Sequence, residues 1–158
     1  MCVALSSGTS SVMYSLINIM SQGDNFITDT QLYGGTFTMF TNILPEFGIT
    51  CKKVDTTDLD LVEKSIDKNT KAIYVETITN PGLVVADIEG LSKVANSKGI
   101  PLIVDATFTT PALQKSLDFG ADIVVHSLTK WMSGHGRVIA GAVIAVSYTH
   151  LRAHETRI

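Results

Sequence analysis

The chain has 158 residues, of which 45% are hydrophobic and 17% are charged, and its formal net charge is −3. This size suits one domain with a well-buried core, and the charge gives no basis for binding nucleic acid or an anionic membrane. Cys2 and Cys51 form no CxxC pair, and neither a leader nor an apolar run long enough to span a membrane is evident. We therefore expect a reduced, cytoplasmic protein.

Strand-like and helix-like segments alternate along the chain, which is typical of a mainly parallel α/β sheet. The predicted helices cover 9–20, 34–44, 58–66 and 88–98, and the predicted strands cover 25–28, 49–54, 71–76, 101–104, 121–125 and 138–146. Asp87 and Gly99 are the expected start and stop signals of the last helix. The pattern predicts one open α/β sheet over residues 1–146, with no internal repeat or linker dividing it.

Residues 147–158 break this alternation and resemble translated sequencing-adapter read-through, so we expect a non-native tail. His150 and His154 have the i, i+4 spacing of a metal-binding pair on a helix. No third ligand is evident, and we therefore predict no metal site.

Two predicted strands end in reactive side chains. Asp105 follows strand 101–104, and Lys130 closes the run His-Ser-Leu-Thr-Lys after strand 121–125. If these are neighbouring parallel strands, their carboxyl ends meet at the edge of the sheet where ligands bind. An acid and an amine there, with hydroxyls beside the amine, suit an aldehyde cofactor that has a ring nitrogen and a phosphate. That cofactor is pyridoxal phosphate.

Each of these two residues has a chemical role and a plain alternative. Lys130 would form a Schiff base, since an amine in a partly desolvated site loses its proton more readily. Alternatively, it is a solvated surface charge. Asp105 would keep the ring nitrogen protonated through an ion pair worth about 4 kcal/mol, which makes the ring an electron acceptor. Alternatively, it is a cap or turn residue after a strand.

Other polar residues converge on the same edge. Ser7, Gly8 and Thr9 lie in a Ser/Gly/Thr run that opens the first helix, where N–H groups and hydroxyls could hold a phosphate. An ordinary N-cap run is the alternative. Tyr33 could stack on the ring of the cofactor or could be a core aromatic, and Asn80 is an amide within a turn sequence. The other candidates are an acid and three hydroxyl residues in supporting positions: Glu76, Thr107, Ser127 and Thr129.

Four short runs together resemble one known family. They are Leu-Tyr-Gly-Gly-Thr at 32–36, Glu-Thr…Asn-Pro at 76–81, Val-Asp-Ala-Thr at 104–107 and His-Ser-Leu-Thr-Lys at 126–130. This combination is similar to the pyridoxal-phosphate-dependent enzymes of Cys/Met metabolism, which include cystathionine γ-synthase, O-acetylhomoserine sulfhydrylase and methionine γ-lyase. The resemblance covers about residues 2–146. It implies that residues 1–146 are the central part of the cofactor-binding large domain of fold type I, which has three layers around a mostly parallel sheet. It also implies a parent enzyme that is a homotetramer of catalytic dimers.

The resemblance also implies individual roles. Lys130 would carry the cofactor, Asp105 would bind its ring nitrogen, and Tyr33 would stack on the ring and assist leaving-group departure. Asn80 would lie near the ring oxygen and the carboxylate of an amino-acid substrate. The implied catalytic residues are Lys130 and Tyr33, and the implied cofactor-binding residues are Ser7, Gly8, Thr9, Tyr33, Glu76, Asn80, Asp105, Thr107, Ser127, Thr129 and Lys130.

The activity expected from this resemblance is γ-replacement on an O-acylated homoserine by sulfide or a thiol. The alternatives are γ-elimination by a methionine or cystathionine γ-lyase, and a non-catalytic fragment of such an enzyme, because the family is longer. Gly35 stands where typical methionine γ-lyases carry a cysteine, which favours replacement. A nicotinamide-dependent dehydrogenase is disfavoured because no G-x-G-x-x-G follows the first strand.

Overall fold

A seven-stranded sheet with helices on both faces forms the domain, and the computed structural model describes residues 1–146. The strands are β1 Cys2–Leu5, β2 Asn25–Asp29, β3 Thr50–Val54, β4 Thr70–Glu76, β5 Leu102–Asp105, β6 Ile123–Ser127 and β7 Gly141–Ala145. The α-helices are α1 Gly8–Ile17, α2 Gly34–Thr38, α3 Leu59–Ser65, α4 Ile88–Lys98 and α5 Thr110–Leu113. Shorter 3₁₀ turns cover Leu44–Phe47 and Ser116–Phe119, and π-helical turns cover Met39–Ile43 and Leu128–Met132.

The sheet is mainly parallel, as the sequence predicts. Its strand order is β1-β7-β6-β5-β4-β2-β3. β2, β3, β4, β5 and β6 pair in parallel, whereas β7 is antiparallel to both β6 and β1. β1 therefore runs in the same direction as the parallel strands. Six of the seven strands consequently have their carboxyl ends at one edge of the sheet.

Two hydrophobic cores confirm the predicted three layers. One core packs α1 and the segment after α2 against one face of the sheet, and includes Leu16, Phe40 and Tyr74. The other packs α3 and α4 against the opposite face, and includes Val62 and Leu91. Successive residues of the central strands alternate between the two cores because side chains of a strand point to opposite faces.

Side-chain caps begin the longer helices. Ser7 Oγ accepts a hydrogen bond from Ser10 N at 3.0 Å, and Asp58 Oδ1 accepts one from Leu61 N at 2.9 Å. Asp87 Oδ1 accepts from Gly90 N at 2.9 Å, and α4 ends at Gly99, whose φ is 67°. Such caps satisfy N–H groups that have no partner within the helix. The start and stop signals predicted for α4 are confirmed.

The structure corrects several predicted boundaries. β1 was not predicted, because a four-residue strand that is mostly exposed carries little alternating pattern. The single helix predicted over 34–44 is α2 followed by a π-helical and a 3₁₀ turn, and Phe40 there packs edge-on against Phe26 and Tyr74. The strand predicted over 121–125 begins and ends two residues later, and the one predicted over 138–146 is shortened to β7.

Two further expectations concern the tail and membrane insertion. The predicted non-native tail at 147–158, with His150 and His154, lies outside the described residues. Among the helices of residues 1–146, none combines the length and apolar character that crossing a bilayer requires.

Candidate active site

A cavity of about 430 Å³ opens at the carboxyl edge of the sheet. The segments that follow β1, β2, β4, β5 and β6 supply most of its lining. All eleven residues predicted from the sequence line it: Ser7, Gly8, Thr9, Tyr33, Glu76, Asn80, Asp105, Thr107, Ser127, Thr129 and Lys130. The chain therefore brings the predicted set together around one space large enough for a small ligand.

Asp105 and Lys130 reach this cavity from adjacent strands. β5 and β6 pair in parallel, with Asp105 opposite Val125, so the predicted neighbourhood of the two strands is confirmed. Lys130 lies in the π-helical turn after β6. Its side chain is exposed in this chain, so the partial desolvation expected for its amine is not observed here.

Asp105 is a partly buried carboxylate with two hydrogen-bond donors. Its Oδ1 accepts from Thr107 N at 2.9 Å, which is the local turn contact that the alternative interpretation expects, and its Oδ2 accepts from the Tyr74 hydroxyl at 3.1 Å. Burial raises the pKa of Asp105, whereas hydrogen bonds from the Thr107 side chain and amide and from Tyr74 act in the opposite direction. Asp105 thus both stabilises a turn and faces the cavity.

Thr107 connects the ends of β5 and β6. Its amide donates to Asp105, and its hydroxyl oxygen accepts from Ser127 N at 2.7 Å. A single side chain therefore holds the Asp105 turn against the segment that leads to Lys130.

Glu76 fixes two loops that border the cavity. Its Oε1 accepts from Tyr33 N at 2.8 Å and its Oε2 accepts from Asn80 N at 3.1 Å. Burial, together with the nearby Asp105 carboxylate, raises the pKa of Glu76 to about 7, although the two N–H donors oppose this rise. Glu76 acts in this structure as a support for the Tyr33 and Asn80 loops.

Those two loops present their side chains to the cavity. Tyr33 is about half exposed, at 49%, which excludes the alternative that it is a core aromatic. Its ring lies over Gly35, where a Cβ would approach Tyr33 Cε1 to 2.8 Å. Asn80 is exposed and lines the same cavity.

The amino-terminal end of α1 closes another side of the cavity. Ser7 is the N-cap, so the ordinary capping interpretation of this run is confirmed. The amides of Gly8 and Thr9 belong to the first helical turn, whose N–H groups lack partners within the helix. A Cβ at Gly8 would overlap the Ser127 side chain, and one at Gly141 would overlap the Ser7 carbonyl. Two glycines therefore let this helix end approach β6 and β7 closely.

Thr129 differs from the other candidate hydroxyls in its contacts. Its Oγ1 accepts from Ala140 N at 3.1 Å and donates to Ala140 O at 3.3 Å. It thereby ties the turn that carries Lys130 to the segment before β7. A phosphate would have to share this hydroxyl with Ala140.

Three polar residues near Asp105 were not singled out from the sequence. Tyr74 and His126 are buried, and Thr36 lies in hydrogen-bond contact with the Tyr74 hydroxyl. His126 Nδ1 has no hydrogen-bond partner among residues 1–146, and burial lowers the pKa of this imidazole. Tyr74 precedes Glu76 by two positions in β4, so strand alternation would have placed both on the same face.

Comparison with known proteins identifies the family. The model of the family described as Cys/Met metabolism PLP-dependent enzyme matches residues 1–157. The chain belongs to this family.

An L-methionine gamma-lyase of Fusobacterium nucleatum subsp. polymorphum is 49% identical to this chain over 143 residues. These residues are 90% of this chain and 36% of the length of that relative. A homocysteine synthase of Schizosaccharomyces pombe is 46% identical over 143 residues, 90% of this chain and 33% of that relative. The chain thus spans about a third of the length of the curated relatives it matches.

Solved structures show the same fold. A cystathionine gamma-lyase of Lactobacillus plantarum, complexed with L-serine, superposes with a TM-score of 0.91 at 40% identity. The matched region is 96% of this chain and 39% of the lyase chain. A proposed O-acetylhomoserine (thiol)-lyase of Campylobacter jejuni superposes with a TM-score of 0.88 at 42% identity. The matched region is 91% of this chain and 36% of the Campylobacter chain. That structure contains a pyridoxyl-lysine phosphate.

The residues of the cavity fit the cofactor on which this family depends. Among residues 1–146, neither lysine nor arginine forms an ion pair with Asp105, so its carboxylate is available for a protonated ring nitrogen. The close approach at Gly8 leaves helix amides and the Ser127 hydroxyl side by side, which suits a phosphate. Lys130 supplies an amine on the same cavity.

Proposed function

We propose that this chain supplies the cofactor site of a pyridoxal-phosphate-dependent enzyme that acts on sulfur-containing or O-acylated homoserine-type amino acids. One observation carries the proposal: a single cavity is lined by an amine, a carboxylate and a helix amino terminus, namely Lys130, Asp105 and Gly8–Thr9. Each of these three groups matches one chemical feature of the cofactor. Lys130 matches the aldehyde, Asp105 the ring nitrogen, and the helix end the phosphate.

The residues of this chain would divide the work as follows. Bound pyridoxal phosphate supplies an electron-accepting ring that stabilises negative charge at the substrate Cα. Asp105 keeps a proton on the ring nitrogen, and the α1 amides with Ser127 hold the phosphate. Lys130 Nζ would take the proton from the substrate Cα and deliver it to the cofactor. The amine, neutral again, would then take a proton from Cβ where the leaving group is on Cγ.

Two of the loop residues would complete the site. Tyr33 would stack on the ring with one face and assist departure of the leaving group. Asn80 would bind the ring oxygen and the substrate carboxylate. Both depend on Glu76, whose carboxylate holds the amides of the two loops.

We infer γ-replacement on an O-acylated homoserine by sulfide or a thiol as the reaction. Gly35 supports this inference, because it lies directly under Tyr33 and leaves no thiol there. The names of a homocysteine synthase and an O-acetylhomoserine (thiol)-lyase among the relatives also favour it. γ-Elimination is the second candidate, because an L-methionine gamma-lyase is 49% identical.

We further propose a cytoplasmic homotetramer of catalytic dimers. Large apolar side chains beside the cavity are exposed in this chain, among them Trp131 at 65% and Ile139 at 76%. An isolated domain rarely leaves such side chains grouped at a ligand site unless further protein covers them.

The central test uses the protein encoded by the complete open reading frame around these residues, called here the complete enzyme. Borohydride reduction of the enzyme with pyridoxal phosphate, followed by peptide mass spectrometry, should give a pyridoxyl modification on Lys130. Lys130→Ala should abolish that modification and lower kcat/KM at least about a thousandfold. Lys93→Ala, which removes an exposed lysine of α4 away from the cavity, should leave both unchanged. Retained turnover in Lys130→Ala would overturn the assignment.

A product assay separates the two reactions. The complete enzyme should convert O-acetylhomoserine and sulfide to homocysteine faster than it converts methionine to methanethiol and a 2-oxo acid. The opposite order of kcat/KM would replace our first candidate with γ-elimination.

A further inference from the structure

Tyr74 is a fully buried residue of β4 whose hydroxyl reaches the candidate site. It donates to Asp105 Oδ2 at 3.1 Å, and β4 is the strand next to β5. Its ring packs edge-on against Phe40 with a centroid separation of 5.0 Å. Phe40 packs in the same way against Phe26 at 4.7 Å. The side chain is fully buried in a close-packed core, and its hydrogen bond to Asp105 holds the hydroxyl in position.

The Tyr74 hydroxyl sits inside a short hydrogen-bonded chain. Thr36 is in hydrogen-bond contact with Tyr74, and Tyr74 donates to Asp105. Burial favours the protonated form of Asp105, so hydrogen-bond donors are needed to stabilise its charged carboxylate. Its second donor, the Thr107 amide, binds the other carboxylate oxygen. The two donors therefore fix the plane of the carboxylate as well as stabilise its charge.

We propose that Tyr74 is a positioning residue that holds Asp105 as an oriented carboxylate for the ring nitrogen of the cofactor. This inference rests on the proposed function. Tyr74 itself does not line the cavity, so it acts only through Asp105. A donor to the carboxylate makes Asp105 a weaker base, and the shared proton then stays on the ring nitrogen.

A packing role and a positioning role predict different behaviour for Tyr74→Phe. Phenylalanine keeps the ring and its contact with Phe40, so a packing role would leave every property nearly unchanged. A positioning role requires the hydroxyl. Its loss makes the charged carboxylate of Asp105 harder to form by about tenfold or more, and because only the carboxylate pairs with a protonated ring nitrogen, cofactor affinity should fall by a similar factor.

The experiment measures two properties of the complete enzyme that do not depend on turnover. They are the dissociation constant of pyridoxal phosphate, from titration of the apoenzyme, and the ¹⁵N chemical shift of the cofactor labelled at its ring nitrogen. In Tyr74→Phe we expect the dissociation constant to rise about tenfold or more and the ¹⁵N signal to move towards the unprotonated pyridine. Phe40→Leu, which disturbs the same ring packing but keeps the hydroxyl, should lower the melting temperature without moving the ¹⁵N signal.

A double-mutant cycle tests whether Tyr74 acts through Asp105. In an Asp105→Asn background, Tyr74→Phe should have no further effect on the dissociation constant, whereas equal effects in both backgrounds would overturn the inference. Wild-type affinity and ¹⁵N shift in Tyr74→Phe would also overturn it. If Tyr74→Phe fails to fold but Tyr74→Phe with Asp105→Asn folds, the hydroxyl is needed for the carboxylate, as proposed. If neither folds, the hydroxyl is needed for the fold independently of Asp105, and the inference is wrong.

These outcomes are distinct from failure of the proposed function. If the wild-type complete enzyme binds no pyridoxal phosphate at Lys130, the proposed function and this inference both fall. If it binds the cofactor and Tyr74→Phe behaves like wild type, only the role of Tyr74 falls.

Discussion

Gly8, the first residue of α1, is a position where one added methyl group should disturb the candidate cofactor site. A Cβ there would overlap Ser127 Cβ and would lie 2.7 Å from its Oγ and 2.8 Å from its Cα. The hydroxyl can rotate away, but the Cα belongs to the backbone at the end of β6. Gly8→Ala therefore requires α1 and β6 to move apart.

The size of the effect follows from these contacts. Non-bonded carbon atoms are normally about 3.5–4.0 Å apart, so relief of the 2.8 Å contact with Ser127 Cα needs a shift of about 0.7–1.2 Å. Overpacking of this kind costs about 1–3 kcal/mol, while the higher helix propensity of alanine returns at most about 1 kcal/mol. We expect Gly8→Ala to lower the free energy of unfolding by about 1–2 kcal/mol. Because the amides of α1 move away from Ser127, the affinity for pyridoxal phosphate should fall about tenfold or more.

The assay compares Gly8→Ala with a matched glycine in the complete enzyme. Gly34 is the first residue of α2, and no heavy atom lies within 4 Å of its ideal Cβ. Gly34→Ala should therefore leave cofactor affinity and stability close to wild type. Apoenzyme titration gives the dissociation constant, and denaturant unfolding gives the stability. Wild-type values for both in Gly8→Ala would refute the argument that close approach of α1 to Ser127 builds the phosphate site.

Two further predictions concern the acids Glu76 and Asp87. Burial raises the pKa of Glu76 from 4.5 to about 7, so between these pH values the folded protein retains a proton that the unfolded chain has released. Its contribution to the free energy of unfolding therefore falls as the pH rises through this window, by up to about 3 kcal/mol. The side chain of Glu76→Gln cannot ionise. Measured by denaturant unfolding of the apoenzyme, the free energy of unfolding of this variant should therefore decrease less between about pH 5 and pH 8 than that of wild type. An equal decrease in both proteins would contradict the raised pKa of Glu76. Asp87→Ala removes the acceptor for Gly90 N and should lower the free energy of unfolding by about 1 kcal/mol with unchanged cofactor affinity. Asp87→Asn, which keeps an acceptor oxygen, is its control, and an equal loss of stability in both variants would argue against the cap.

The fold class was predictable because the central strands are apolar and alternate with amphipathic helices. α4 shows this best, since its cap, its apolar face and its terminal glycine agree with one another. β1 shows the limit. Its four residues gain stability by pairing with β7, which lies more than a hundred residues further along the chain, and no local pattern records such a pairing. The antiparallel direction of β7 is likewise a property of the assembled sheet.

The site was largely predictable for a related reason. Residues that follow parallel strands must meet at one edge, so Asp105, Lys130 and Glu76 could be grouped from their positions alone. The contacts among them could not. Neither the contacts of Glu76 with two loops nor the hydrogen bonds of Thr129 with Ala140 have a signature in sequence spacing, because each depends on how the segments fold back against one another.

The sequence by itself determined the layered α/β architecture and the set of residues at the cofactor edge, because alternation, caps and strand ends are local properties. Only the tertiary structure decided the environment of each group. It buries Asp105 beside Tyr74, which raises the carboxylate pKa and supplies a donor at once. It also leaves Lys130 exposed. Burial and hydrogen-bond distance depend on which segments pack together, and these physical quantities set the chemistry of the site.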